Sequence, residues 1–314
     1  MPTAAAPPSR VLAAFGLRGA TVTVLPGGQG SSWLVSPAPA PAPAPDAATG
    51  SGRPAAPLVL KPVEGDLQAE EVAWLAEVLA PLCVAPAHEV GFRLPAPVPG
   101  PGDRWVVDGW SATTWAAGEP GPAGRWVDLL ATARAFSTAL APLPRPGFLE
   151  RRTDPWAVAD RAAWGEQPLE VLPDQRALVD GLRQLARRGD RHPRADQLVH
   201  GDMTGNVLFA EGLPPAVIDV SPYWRPAAYA GAVVVADGLL WWGQDGGLVS
   251  AAGESGDVGL VARALLFRLL TDVQLVGDGC DDVTARGAQG AVPLRAVDVA
   301  RYRRALDVLG GAGA

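Results

Sequence analysis

His200, Asp202 and Asn206 fall in one short polar stretch (HGDMTGN) bounded by the apolar runs Leu198–Val199 and Val207–Phe209, and a further carboxylate, Asp219, closes the next apolar run, AVIDV. This set suits oxygen chemistry. An amide oxygen and a carboxylate that converge form a hard ligand pair for Mg²⁺, an ion that keeps several of its waters. A second carboxylate beside them, Asp202, can receive the proton of an attacking hydroxyl. The apolar runs on either side of Glu211–Pro215 (EGLPP) read as two strands joined by a turn. Such a hairpin brings Asn206 and Asp219 to the same end.

With these residues in place, the sequence resembles the aminoglycoside phosphotransferase and choline kinase branch of the protein-kinase-like superfamily. That branch carries HGD in its catalytic loop, an Asn after it, and an Ile-Asp-hydrophobic triplet where protein kinases have DFG. His200-Gly201-Asp202, Asn206 and Ile218-Asp219-Val220 match those positions. The segment SPYWRP after them is similar to a narrower group of such proteins from high-GC bacteria, and the resemblance runs from about Arg10 to Leu309. It implies ATP-Mg²⁺ bound between two lobes, with Asn206 and Asp219 on the metal, Asp202 as catalytic base and a small-molecule hydroxyl as acceptor. It also implies that Lys61 is the strand lysine on the α- and β-phosphates, with Glu71 as its partner. Gly27, Gly28 and Gly30 would lie over the phosphates. Thr114 and Ala116, in the strand leading to the second lobe, would offer backbone groups to adenine, and Val24, Val35, Leu60 and Leu208 would wall it. There is one departure. Kinase-type loops place four residues between the Asp and the Asn, whereas Met203, Thr204 and Gly205 alone stand between Asp202 and Asn206. The missing residue bears on the reach of Asp202 and leaves the metal pair intact.

The elements that must position these groups are legible. ATVTVL (20–25), SWLV (32–35) and LVLK (58–61) read as three strands of a small antiparallel sheet. The Pro/Ala-rich segment 36–57 between them has few backbone donors and no core-forming residues, and reads as a disordered insertion. A helix is expected over about 66–82. At about 100° per residue, Leu67, Leu75, Val78, Leu79 and Leu82 share one face, and Glu71 lies in its middle. A carboxylate there needs a cation, and Lys61 supplies one; a backbone amide or a surface Arg is the alternative. The glycine-rich PGGQGSS is either a phosphate-covering loop or a plain hairpin turn. Further strands are expected at 91–98 and 104–115, then helices at 126–140, 155–164, 174–188, 227–242, 258–275 and 294–309. His200 is expected to brace the hairpin, and Asp237, on an apolar helix, to brace the catalytic loop. Tyr223, Trp224 and Arg225 either bind the acceptor or pack their segment.

Composition narrows the classes. A net charge of −7 disfavours nucleic acid, whose binders need clustered cations. Cys83 and Cys280, and the three histidines, lack metal-ligand spacing. The start lacks a basic region followed by a long apolar one, and the apolar run 227–242 is interrupted by Asp237. No membrane span and a cytoplasmic location are therefore expected. The expected fold is α+β, a two-lobed kinase-like unit. Its antiparallel N-lobe with one helix covers residues 1–117, and its helical C-lobe, with catalytic loop and metal site, covers 118–314. The rival reading is a nucleotide-binding pseudokinase that acts through a protein partner.

Overall fold

Antiparallel strands gather in the first part of the chain and helices in the remainder. The computed structural model describes residues 5–25, 32–37, 56–189, 195–277, 284–285, 292–293 and 296–312. Contacts divide it into two units: Met1–Ala85 with Arg93–Ala117, and Pro86–Phe92 with Gly118–Ala314.

In the first unit, α1 (Ser9–Ala14) precedes a four-stranded antiparallel sheet of β1 (Thr21–Val24), β2 (Trp33–Ser36), β3 (Leu58–Pro62) and β4 (Trp110–Thr114), in the order β1-β2-β3-β4. Side chains alternate across a strand. Leu58 and Leu60 therefore enter a core with Val11, Leu17, Val35, Trp110 and Ala112, and Val59 and Lys61 occupy the opposite face. Helix α2 (Gly65–Val84) follows β3. Glu70 and Glu77 are exposed on it, and Glu71 is half-buried.

Two expected strands are corrected. Pro95, Pro97 and Pro99 cannot donate to a ladder, and residues 91–98 run beside β4 without becoming a strand. Val98 N–H donates to Ala112 O and Thr114 N–H to Ala96 O, each at 2.8 Å. The expected strand over 104–115 shrinks to Trp110–Thr114 because Asp108 (φ 49°) and Gly109 (φ 76°) form a left-handed turn just before it. The insertion 36–57 falls mostly outside the described residues.

The second unit starts with α3 (Ala87–Val90), and continues after the first unit with β5 (Glu119–Pro120) and α4 (Trp126–Leu140). Helices α5 (Pro155–Ala163) and α6 (Pro173–Gly189) follow, then β6 (Asp196–His200), β7 (Val207–Phe209), β8 (Ala216–Val217) and β9 (Pro222–Pro226). The remainder is α7 (Tyr229–Trp241), α8 (Gly246–Ala251), α9 (Val258–Gly277), the short pair β10 (Thr284–Ala285) and β11 (Val292–Pro293), and α10 (Val299–Ala312). Asp154 caps α5 through a 3.0 Å bond from Ala157 N–H, with Pro155 in the first turn, where its missing donor costs nothing. Helix α7 is buried almost all round, and α9 packs on α5, α6 and α7. The long apolar run is thus the central helix of a core. Among the described residues, no helix is long and apolar enough to cross a membrane.

Candidate active site

Two antiparallel pairings build the polar loop. Strand β6 pairs with β9 through Val199↔Tyr223 and His200↔Pro222, and β7 pairs with β8 through Val207↔Val217. The hairpin continues one step further, because Ile218 N–H donates to Asn206 O at 2.9 Å. Asn206 and Asp219 therefore flank the open end of one hairpin. His200 is fully buried. Its Nδ1 accepts the N–H groups of Asp202 and Ser221, both at 3.2 Å, and Nε2 lies 3.2 Å from Ile218 O. A nitrogen that accepts two bonds carries no proton, so Nε2 holds the proton and donates to Ile218 O. The ring ties the Asp202 loop to the Asp219 segment. Gly201 beside it is required sterically: a Cβ there would stand 2.3 Å from the Tyr223 ring.

The loop closes despite its missing residue. Gly205 takes φ +84° and Asn206 N–H returns to Met203 O at 3.0 Å, while the Met203 side chain is fully buried. Asn206 Nδ2 donates to Asp202 O at 2.7 Å and to Asp202 Oδ2 at 3.1 Å. Both contacts use the amide nitrogen, which leaves Oδ1 for a cation. Asp219 has φ 51°, a left-handed conformation that a non-glycine residue adopts at a cost and that concentrates at functional sites.

A residue not singled out in the sequence joins them. Arg268, from α9, places Nη2 3.0 Å from Asp202 Oδ1. The same guanidinium grips Asp237 of α7 with two bonds, Nε–Oδ1 at 2.8 Å and Nη2–Oδ2 at 2.9 Å. Burial pushes the Asp237 carboxyl up from its usual range, and Arg268 pulls it back; Arg268 itself is held charged by the two carboxylates against its own burial. Asp237, read as a brace of the loop, reaches it through Arg268. An Arg inside the apolar run LLFRLL was the available signal, since a buried guanidinium requires a carboxylate.

In the first unit, Lys61 leaves β3 opposite Ser111 of β4, and desolvation by burial lowers its pKa to about 8. The proposed apolar walls need correction. Leu60 and Val35 are fully buried in the α1-side core, and strand alternation puts Leu60 on the face away from Lys61. Val59, and Leu34 opposite it on β2, share the Lys61 face. Thr114 is engaged within the unit: its N–H donates to Ala96 O at 2.8 Å and its Oγ1 accepts Ala96 N–H at 2.9 Å. Ala116 is half-buried just beyond. Gly27, Gly28 and Gly30 lie outside the described residues.

Of the three residues left between acceptor binding and packing, two face inward. Tyr223 is 6% exposed and meets Phe267 edge-on. Arg225 is also 6% exposed, is bonded to Asp160 and Glu166, and stacks 4.9 Å from the Trp164 ring centroid. Trp224, between them, is half-buried.

The donor set fits a divalent cation: one carboxylate and one amide oxygen, both hard ligands, with room in the requirement for water. It also fits a nucleotide's phosphates as the ion's remaining ligands.

No protein-family model matches the sequence, and no curated protein matches it. Solved structures do. An aminoglycoside phosphotransferase from Alicyclobacillus acidocaldarius is similar with a TM-score of 0.56 and 14% identity, covering 99% of this chain and 96% of that one. The choline kinase LicA from Streptococcus pneumoniae is similar with a TM-score of 0.51 and 10% identity, over 93% of each chain. The amicoumacin kinase hAmiN, solved in complex with AMP-PNP, Ca²⁺ and Ami, is similar with a TM-score of 0.53 and 12% identity, over 91% of this chain and 87% of that one. At such identities the likeness is one of fold. The chain has the protein-kinase-like fold, a four-stranded antiparallel sheet followed by a mostly helical remainder.

Proposed function

We propose that this chain is a phosphotransferase that moves the γ-phosphoryl group of ATP to a hydroxyl of a small molecule. The observation that carries the proposal is the joining of Asp202, Asn206 and Asp219 at one end of the β7–β8 hairpin, in a kinase-like fold. Asn206 Oδ1 and Asp219 would hold Mg²⁺, which when bound neutralises phosphate charge. Lys61, on its sheet face, supplies further positive charge to the phosphates, and Glu71 fixes it. Asp202 accepts a hydrogen bond from the acceptor hydroxyl. As that oxygen bonds to the γ-phosphorus, the bond from the phosphorus to the β–γ bridging oxygen breaks, ADP departs, and the hydroxyl proton passes to Asp202. Such a transfer is catalysed chiefly by positioning and charge.

The carboxylate of Asp202 already receives bonds from Arg268 and Asn206. An ionised carboxylate offers about four lone-pair sites, so it retains capacity for a hydroxyl. The same engagement, in a shortened loop, favours a second reading: a pseudokinase that binds nucleotide and signals through a protein partner. One experiment separates the two. Under the phosphotransferase reading, Asp202→Ala keeps affinity for the ATP analogue AMP-PNP and loses ATP turnover with pooled metabolites as acceptors. Full turnover in Asp202→Ala contradicts the assigned role. Nucleotide binding by the wild type without any phosphoryl transfer supports the second reading.

A further inference from the structure

Arg268 joins the catalytic carboxylate candidate to the helical core by a charged bond. It rises from α9 within the run LLFRLL, its side chain is 8% exposed, and the Asp237 side chain beneath it is 3% exposed. A guanidinium is a rigid planar fork. Asp237 occupies two of its prongs at 2.8 and 2.9 Å, which fixes the plane, and the shared Nη2 then reaches Asp202 Oδ1 at 3.0 Å. From the other side Asn206 Nδ2 holds Asp202 Oδ2 at 3.1 Å. The Asp202 carboxylate is thus set between two donors that approach from different elements. The loop from Asp202 to Asn206 is one residue shorter than the kinase-type spacing, so its backbone has less freedom to aim the carboxylate, and a donor from α9 stands in hydrogen-bond contact with it.

We propose that Arg268, seated on Asp237, is a positioning residue for phosphoryl transfer: it orients the Asp202 carboxylate toward the acceptor hydroxyl and compensates for the shortened loop. This rests on the phosphotransferase reading above. Arg268 touches no substrate in this account and acts through Asp202. A role confined to holding α7 and α9 together would affect stability and nucleotide binding together. A positioning role affects turnover while binding persists.

The test is a double-mutant cycle of Arg268→Gln and Asp202→Asn in the full chain. It is read as phosphate release from Mg-ATP with water as acceptor, and as AMP-PNP affinity by calorimetry. Each single variant is expected to lower kcat about 100-fold, within the range of one acid–base group, with AMP-PNP affinity within threefold of wild type. The double variant is expected to lose no more than the worse single one, because both act at one point. Losses that multiply in the double variant overturn the proposal and leave the nucleotide site standing, as does a kcat for Arg268→Gln equal to or above wild type. If Arg268→Gln does not fold, Arg268→Lys serves instead. It keeps the charge but not the fork, and a kcat at least tenfold down with unchanged AMP-PNP affinity is expected, whereas wild-type kcat overturns the proposal. A wild type that neither binds AMP-PNP nor releases phosphate overturns the phosphotransferase reading, and the positioning role with it.

Discussion

Among the described residues of the second unit, two buried arginines are each forked onto two carboxylates, in different surroundings. Arg225 of β9 joins Asp160 and Glu166 and lies against Trp164. Arg268 of α9 joins Asp237 and Asp202. In each pair one carboxylate is nearly sealed, Asp160 at 7% and Asp237 at 3% side-chain exposure. The difference is in the second carboxylate. Glu166 is 47% exposed, whereas Asp202 is 15% exposed and is also held by Asn206. A buried ion pair therefore does not by itself mark a site. What distinguishes the candidate site is a carboxylate that is partly accessible, held from two sides, and beside further hard oxygen donors.

Four predictions press on that contrast. The largest effect is expected at Asp202: Asp202→Ala lowers ATP turnover about 10³-fold, measured as phosphate release, with a smaller stability loss than the next variant because Arg268 keeps both bonds to Asp237. Next, Asp160→Ala leaves the buried Arg225 guanidinium with only the half-exposed Glu166 as partner and costs about 3 kcal/mol of stability by chemical denaturation, with turnover per folded molecule unchanged. Equal stability losses in the two variants would erase the distinction.

A third prediction concerns the link from α9 to α10. Tyr302 O–H donates to Asp272 Oδ2 at 2.6 Å, and burial raises the Asp272 carboxyl from 3.8 to about 6. Below the unfolded value both states hold the proton. Between there and about 6 the folded state keeps it and the unfolded state releases it, so stability falls as pH rises through this window. The difference amounts to about 3 kcal/mol. Asp272→Asn removes that slope, measured as the difference in unfolding free energy between pH 4 and pH 7. The smallest effect is expected at Lys61. Burial lowers it to about 8, so its charge, and with it AMP-PNP affinity, falls severalfold as pH rises from 7 to 9, and Lys61→Met flattens the profile.

Much of this was legible in the sequence because local signals agreed. The hairpin between Asn206 and Asp219, the three-stranded start of the sheet, and the helices over 126–140, 155–164, 174–188, 227–242 and 258–275 follow from apolar period and turn residues, and appear within a few residues in the structure. Where signals competed, the reading failed. The prolines of 91–98 override an apolar, strand-like run, and Asp108-Gly109 cuts the strand expected over 104–115. Placing both Leu60 and Lys61 at the nucleotide violated strand alternation, which assigns Val59 and Leu34 to the Lys61 face. The Arg268–Asp202 pair has no local signature, because the two residues lie 66 positions apart in sequence. Charge pairing at that distance has no periodic signature, although the polar oddities at Asp237 and Arg268 each required a partner. Tyr223 and Arg225 showed polar atoms in the sequence but not the direction in which β9 would point them.

Phosphoryl transfer as proposed requires Mg-nucleotide binding through Asn206 and Asp219. Calorimetric titration of AMP-PNP, with and without Mg²⁺, into the wild type, Asn206→Ala and Asp219→Ala tests it. Affinity for the wild type is expected to rise at least tenfold with Mg²⁺, and that gain is expected to vanish in Asp219→Ala and shrink in Asn206→Ala. A Mg²⁺ dependence identical in all three proteins would contradict it.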